Sequence, residues 1–410
     1  MNSFKRRITF FLLLCGLTGF CACTPELKLG ELKLRTTPSA PEAGDVINAE
    51  SLPFWPRWVL KALFWWRDLD DRFPLEHGIA LYRVTYWSEG PSGRLGPATG
   101  LMALPSTGDV PLKGLVSWQH DTATLKPQAP SEPDLYNGVF AVAIFAGAGC
   151  AMVAPDYLGF GASTALPAYY HTRSIAASVV NLSRAAHRII ADEKRQIANG
   201  LYLTDFSQGG HASYAAHRWI ETEPTFPWKL RGTGSIGGPL DLAQTGFPGV
   251  LNGESRFGSL YVAWVALSYA RVYGQPVTDI LREPWASTAE RLFDGERDGA
   301  PIIAALPKDP KELLTEPMIK VLQEGGRHWF IDRLTENSIL DWAPRIPVRA
   351  YYGNKDVDVP TSDIIAMAIR AKMEGIPFDA LSVGDYNHDE SILEAAPKVL
   401  QWFDSMQSPH

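Results

Sequence analysis

The chain has 410 residues, of which 46% are hydrophobic and 20% are charged, and its formal net charge is -7. This length can bury a sizeable core and allows one large α/β domain with an insertion, or two domains. The acidic balance provides no basic field that would hold a polyanion, which argues against nucleic acid as a partner.

The first residues have the pattern of an export signal. Three residues at 5–7 (Lys-Arg-Arg) precede an apolar run at 8–20, which is short for a membrane span. Residues 20–23 (Phe-Cys-Ala-Cys) resemble a lipobox, where cleavage precedes a cysteine that becomes lipidated. We therefore expect a signal peptide at 1–22, lipidation and membrane attachment at Cys23, and export to the bacterial periplasm or outer membrane. An uncleaved signal anchor and simple secretion are the alternatives.

The segment after the leader is predicted to connect an anchor to a folded body. Residues 23–50 contain many Pro, Glu, Thr and Ala residues and are predicted to be a tether. The aromatic stretch at 52–73 could lie on a bilayer surface, but its pattern favours core packing or a pocket wall. Because Cys15 and Cys21 lie in the leader and Cys23 is the expected lipidation site, Cys150 has no partner for an internal disulfide after processing.

Short apolar runs alternate with helical patterns through the rest of the chain. The predicted strands are 79–87, 97–104, 112–118, 151–155, 200–203, 230–236, 348–352 and 378–383. The predicted helices between and after them are 139–148, 174–196, 208–219, 362–373 and 391–403. This alternation predicts an α/β fold with a mainly parallel sheet, helices on both faces and an antiparallel hairpin at one edge.

One segment interrupts this alternation. Residues 241–343 contain helical pieces but no strand pattern, and they lie between two predicted strands. Hydrolases often insert a cap at such a place. We therefore assign residues 51–240 and 344–410 to an α/β core and residues 241–343 to a helical cap or lid.

Ser207 lies between a predicted strand and a predicted helix. Gly209 and Gly210 follow it, and small residues there allow the sharp turn of a nucleophile elbow. Asp205 stands upstream, where the G-x-S-x-G pattern has glycine. The alternative interpretation is that Ser207 only caps the helix. A rival elbow at Ser235 is followed by a chain break rather than a helix, so we interpret it as a glycine turn near the site.

A serine nucleophile needs a base and a carboxylate that orients the base. Asp356 lies in the loop after a late predicted strand, and His388 lies between the last predicted strand and the last helix. This is the chain order of nucleophile, acid and base in α/β hydrolases. Asp358 is the alternative acid, because it lies only two residues further on.

The other histidines match no such loop. His211 and His217 lie on the helix after the serine, His187 lies on the preceding helix, and His120 is expected to be structural although it is near the site. The sequence contains no histidine pair at ligand spacing with carboxylates nearby, so it does not indicate a metal site. We expect no cofactor.

Acyl transfer also needs hydrogen-bond donors directed at the developing oxyanion. Elbow geometry assigns the backbone N–H of Gln208 as one donor. The second donor is expected from the loop at 120–122, where Asp121 stands at a position that is glycine in many hydrolases. The carboxyl group of Asp121 could donate only when it is protonated.

These motifs together resemble the secretory lipase family of α/β-hydrolases. The matching segments are 118–121 (Trp-Gln-His-Asp), 155–159 (Pro-Asp-Tyr-Leu-Gly), 206–210 (Phe-Ser-Gln-Gly-Gly), 353–356 (Gly-Asn-Lys-Asp) with 359–360 (Val-Pro), and 387–388 (Asn-His). The resemblance extends from residue 79 to the C-terminus and implies an α/β-hydrolase fold with a helical cap. It also implies hydrolysis of carboxylic esters, in some members of long-chain acylglycerols. The site residues that it implies are the triad Ser207, Asp356 and His388, with Asp121 and Gln208 in the oxyanion hole.

The sequence therefore predicts a serine esterase or lipase that acts on a small-molecule ester or lipid through an acyl-enzyme on Ser207. One alternative is a serine peptidase or amidase on the same fold, whose cap would present a charged anchor for a peptide terminus. The other is a catalytically silent surface-binding protein, which only the departure from glycine at Asp205 supports.

Overall fold

The computed structural model describes residues 40–69, 71–132 and 139–407. The predicted signal peptide at 1–22, the lipidation site Cys23 and most of the predicted tether lie outside these ranges. Within them, each helix is too short or too polar to cross a bilayer.

The described residues form a single nine-stranded sheet in the order β1-β2-β3-β5-β4-β6-β7-β8-β9. The strands are β1 (Val46–Ser51), β2 (Ile79–Glu89), β3 (Leu95–Pro105), β4 (Leu115–Gln119), β5 (Ala151–Pro155), β6 (Leu201–Asp205), β7 (Leu230–Ile236), β8 (Val348–Gly353) and β9 (Phe378–Gly384). The pairs β1–β2, β2–β3 and β3–β5 are antiparallel, and the pairs from β5 through β4 to β9 are parallel. The predicted fold class, a mainly parallel sheet in an α/β architecture, is confirmed.

Helices cover both faces of the sheet. They are α1 (Arg57–Trp66), α2 (Val139–Gly147), α3 (Thr172–Asp192), α4 (Gln208–Glu221), α5 (Phe247–Val250), α6 (Gly258–Tyr273), α7 (Trp285–Leu292), α8 (Gly299–Ala305), α9 (Glu316–Glu324), α10 (Trp329–Asn337), α11 (Ser362–Glu374) and α12 (His388–Met406). One apolar core includes α3, α4 and α11, and a second core on the opposite face includes α1, α2 and α12. The parallel strands between them, such as β4 to β6, are fully buried, as two covered faces require.

The N-terminal edge of the sheet begins earlier than we predicted. The tether was assigned to residues 23–50, but Val46–Ser51 forms β1 and pairs with β2. The tether boundary is therefore wrong at its C-terminal end. β1 is an edge strand whose side chains are only half-buried or exposed, so it lacks the strong alternation by which a sequence indicates a strand.

The aromatic stretch after β1 contributes to the core on one side. α1 buries Leu60, Leu63 and Phe64, and the Phe64 ring stacks on Phe140 of α2 at a centroid distance of 5.5 Å. Trp58 remains 51% exposed on the outer side of α1. This helix therefore forms a wall beside the sheet, as the aromatic pattern suggested.

The helices α5 to α10 all lie between β7 and β8, in the segment where we predicted a cap. The crossover from β7 is held by Asp363 at the start of α11, whose buried carboxylate accepts the backbone N–H groups of Leu240 at 2.7 Å and Asp241 at 2.9 Å. Asp241 in turn accepts the N–H groups that begin the next helical turn. These bonds fix the direction in which the inserted segment leaves the sheet.

Candidate active site

Ser207 occupies the sharp turn between β6 and α4. Its backbone has φ 57° and ψ -120°, a conformation that residues other than glycine rarely adopt and that strains the chain. Its N–H donates to the carbonyl oxygen of Ile236 on β7 at 2.9 Å. The Ser207 side chain makes no capping hydrogen bond to α4, so the alternative interpretation of a simple helix cap has no support.

The two glycines after Ser207 are required by close approach of the backbone. A Cβ on Gly209 would lie 2.1 Å from the carbonyl oxygen of Gln119 at the end of β4. A Cβ on Gly210 would lie 2.3 Å from the Cα of Gly238 after β7. Both distances are far below van der Waals contact. The glycines therefore let α4 begin directly against the ends of the neighbouring strands.

Asp205, which departs from the glycine pattern, is accommodated beneath the turn. Its Oδ1 accepts from the hydroxyl of Ser235 and from the N–H of Ile236, each at 2.9 Å. Its Oδ2 is buried and has no hydrogen-bond partner in the described part of the chain. Burial raises the pKa of Asp205 to about 7, although these bonds oppose the shift. The side chain thus ties β6 to β7 and does not obstruct the Ser207 turn.

The structure brings His388 and Asp356 together. His388 Nδ1 lies 2.7 Å from Asp356 Oδ2, and the other carboxylate oxygen accepts the N–H groups of Asp358 at 3.0 Å and Val359 at 2.9 Å. Burial alone would lower the pKa of His388, but the hydrogen bond and charge of Asp356 outweigh it and raise the pKa. His388 Nε2 is buried and, among the described residues, has no partner.

Asp358, the alternative acid, is directed elsewhere. Its carboxylate accepts a hydrogen bond from Ser255 in the inserted segment. The carboxylate in contact with the histidine is therefore that of Asp356. Two packing partners were not predicted, because no sequence pattern identifies them. They are Ser255 and Phe206, whose ring stacks on His388 with centroids 4.7 Å apart.

His120 has a structural environment, as we expected. Its two ring nitrogens lie 2.7 Å from the carbonyl oxygen of Asp121 and 3.2 Å from that of Asp156, and its ring stacks on Tyr157. Burial lowers the pKa of His120 to about 4. The remaining predicted non-site histidines contact Thr172 (His211), Thr233 (His217) and Trp228 (His187).

The two expected oxyanion donors belong to neighbouring elements. Gln208 is the first residue of α4, and Asp121 is two residues beyond the end of β4. The Asp121 side chain lies against a cavity and has accessible surface, yet enclosure by the protein raises its pKa to about 6. At pH 7 this side chain is therefore mostly a carboxylate, so a donor from Asp121 has to be its backbone N–H.

Two cavities adjoin this group of residues. An apolar pocket of about 60 Å³ contains Ser207, and the residues lining it include Phe247, Val250, Tyr261 and Val265 of the inserted segment. A larger cavity of about 440 Å³ is lined by parts of α1, α2 and α12 together with Asp121 and Phe206. The described ranges contain no cluster of three or more His, Cys, Asp or Glu side chains that could hold a metal ion.

The chain matches no family model and no curated protein sequence. Its structure, however, is similar to several solved structures. One is a candidate hydrolase from Legionella pneumophila, with a TM-score of 0.82, 22% identity, and coverage of 89% of this chain and 99% of that one. Another is a ligand-bound form of the rice cell wall degrading esterase LipA from Xanthomonas oryzae, with a TM-score of 0.79, 22% identity, and coverage of 89% and 98%.

A more distant similarity extends to a fungal enzyme. Candida antarctica lipase A aligns with a TM-score of 0.64 and 14% identity, covering 90% of this chain and 84% of that one. The three neighbours are thus a candidate hydrolase, an esterase and a lipase. The strand order, the turn at Ser207 and these similarities together show that the chain has the α/β-hydrolase fold.

Proposed function

We propose that this protein hydrolyses carboxylic esters through an acyl-enzyme on Ser207. The observation that carries the proposal is the environment of His388. Its Nδ1 is held by Asp356, whereas its Nε2 is buried and has no partner among the described residues. Buried polar atoms in folded proteins are nearly always hydrogen-bonded, so an unpaired nitrogen on a histidine that is held by a carboxylate marks a candidate for proton transfer. A serine base oriented by a carboxylate has this arrangement.

The proposed reaction begins with attack of Ser207 Oγ on the ester carbonyl carbon. The hydroxyl proton passes to His388 Nε2, and Asp356 stabilises the resulting imidazolium. The backbone N–H groups of Gln208 and Asp121 would stabilise the oxyanion. The carbon–oxygen bond to the alcohol then breaks while His388 returns the proton to the leaving oxygen. A water molecule repeats the sequence, releases the acid and restores the serine.

The apolar lining of the pocket at Ser207 supports an ester rather than a peptide substrate. Apolar side chains dominate the pocket at Ser207, and its one carboxylate, Asp358, is already bonded to Ser255. A peptidase would need a charged anchor for a peptide terminus there. Two of the structural neighbours are an esterase and a lipase. A silent binding protein is disfavoured because Asp205, its only support, leaves the turn intact.

The test is hydrolysis of a p-nitrophenyl ester series from acetate to palmitate. We expect turnover by the wild-type protein and a loss of at least about a thousandfold in Ser207→Ala, as for nucleophile removal in other serine hydrolases. Ser405→Ala removes an exposed hydroxyl at the end of α12 and serves as the matched control. Retained activity in Ser207→Ala would contradict the proposal, and turnover of aminoacyl anilides alone would favour the amidase.

We also propose that the protein is exported and attached to a membrane through a lipidated Cys23. The basic residues, the apolar run and the cysteine of the leader support this proposal. The test is cell fractionation of the wild type and Cys23→Ser in a bacterial host. Transfer of the variant from the membrane to the soluble exported fraction is expected, and an unchanged distribution would contradict lipidation.

A further inference from the structure

The large cavity of about 440 Å³ is lined by Phe206 and Asp389, the chain neighbours of Ser207 and His388, and shares no lining residue with the pocket at Ser207. Its volume is in the range of ordinary small-molecule sites. Its walls include four aromatic rings, which are Phe64 from α1, Trp118 from β4, Phe140 from α2 and Phe206 from the turn. Such walls suit a planar ring, because aromatic groups pack in offset or edge-to-face arrangements.

The position of the cavity suits the alcohol half of an ester better than the acyl half. Phe206 lines the cavity and stacks on the ring of His388, while Asp389, the residue after the histidine, lines it as well. When the acyl-enzyme forms, the alcohol of the ester leaves and takes its proton from the histidine. The alcohol therefore lies on the histidine side of the reacting carbon. The cavity is therefore placed to receive the alcohol.

The other half of the ester has much less room. The pocket that contains Ser207 has a volume of only about 60 Å³, well below that of ordinary ligand sites. Its lining is mostly apolar and includes Phe247 and Val265. A short acyl group fits such a space, whereas a ring or a long chain would have to displace these residues.

We propose that the preferred substrates are short-chain acyl esters of bulky aromatic alcohols, with the alcohol bound in the large cavity. This inference rests on the proposed ester hydrolysis, because it assigns the two halves of the ester to two spaces. Two carboxylates, Asp121 and Asp389, also line the cavity. They can accept hydrogen bonds from hydroxyl substituents on the aromatic alcohol.

The first experiment compares two isomeric esters, naphthylmethyl acetate and methyl naphthylacetate. They contain the same atoms, but the ring is on the alcohol side in the first and on the acyl side in the second. We expect kcat/KM to be at least tenfold higher for naphthylmethyl acetate. Equal values, or a preference for methyl naphthylacetate, would overturn the assignment.

A variant at one half-buried wall residue of α12 localises the effect. Leu393→Trp reduces the free volume of the cavity, whereas Ser405→Ala changes an exposed residue outside both cavities. Leu393→Trp should lower kcat/KM for naphthylmethyl acetate at least tenfold relative to methyl acetate, and Ser405→Ala should leave that ratio unchanged. A ratio that is unchanged by Leu393→Trp would show that the ring binds elsewhere.

A binding measurement separates this inference from the proposed hydrolysis. Naphthylmethanol, the product alcohol, is titrated by calorimetry into Ser207→Ala, with and without Leu393→Trp. Binding that weakens at least tenfold with Leu393→Trp supports the alcohol site even if no ester is turned over. Absence of binding to Ser207→Ala, or binding that Leu393→Trp leaves unchanged, would overturn the inference even if esters are hydrolysed.

Discussion

The buried carboxyl group of Asp205 makes the free energy of unfolding depend on pH. Comparison of the wild type with Asp205→Asn separates this contribution from that of other titrating groups. Burial raises the pKa of Asp205 from 3.8 to about 7. The folded state therefore binds this proton more strongly than the unfolded state, and the free energy of unfolding falls as pH rises from about 4 to about 7. Asp205→Asn removes the titration, while its amide oxygen can still accept from Ser235 and Ile236.

The expected magnitude follows from the two pKa values of Asp205. One pKa unit corresponds to about 1.4 kcal/mol, so the change from 3.8 to about 7 corresponds to about 4 kcal/mol over the whole range. Between pH 5 and pH 8 the wild type should lose roughly 2–3 kcal/mol of unfolding free energy relative to Asp205→Asn. The raised pKa values of Asp121 and Asp156, both about 6, cancel in this difference.

The assay is urea unfolding of both proteins at several pH values between 5 and 8. Ser235→Ala provides a second check, because loss of its hydrogen bond to Asp205 Oδ1 should raise the pKa of Asp205 further. The decline in stability should then continue to higher pH. If the difference in unfolding free energy between wild type and Asp205→Asn stays constant within about 0.5 kcal/mol, Asp205 does not titrate in this range, since one titrating proton predicts several times that value.

Two other predictions concern the turn and the histidine. Gly209→Ala should lower the unfolding free energy by more than about 2 kcal/mol in urea unfolding, because its Cβ would collide with the carbonyl oxygen of Gln119; a loss below about 0.5 kcal/mol would contradict the close approach. Asp356→Asn should reduce kcat/KM at least a hundredfold and shift the acid limb of its pH profile downward, because it removes the charge that raises the pKa of His388. Asp358→Asn should cost less than tenfold, and a larger loss than in Asp356→Asn would reverse the assignment of the acid.

The fold could be predicted from the sequence to a large extent because its parallel strands are short, apolar and separated by helices. The buried strands β4 to β7 overlap the predicted runs. β1 was missed because an edge strand with exposed side chains carries a weak pattern. Pairing order is a long-range property, so the adjacency of β4 to both β5 and β6 became evident only from the structure.

In the candidate site, features formed by adjacent residues could be predicted from the sequence, whereas contacts between residues far apart in the chain could not. Ser207, Gly209 and Gly210 could be recognised from adjacent residues, because the turn is local. The choice between Asp356 and Asp358 required the structure, since it depends on which carboxylate meets a histidine 32 residues away. The bonding of Asp205 to Ser235 also joins two strands that are distant in sequence. A single sequence contains no signal for such pairs.

Labelling of the wild-type protein with a fluorophosphonate, followed by tryptic mapping of the modified peptide, shows directly whether Ser207 is the nucleophile. We expect label on Ser207, and we expect His388→Ala to abolish labelling because the hydroxyl proton then has no acceptor. Label on Ser235 or on another serine, or esterase activity that persists while Ser207 stays unmodified, would show that Ser207 is not the nucleophile.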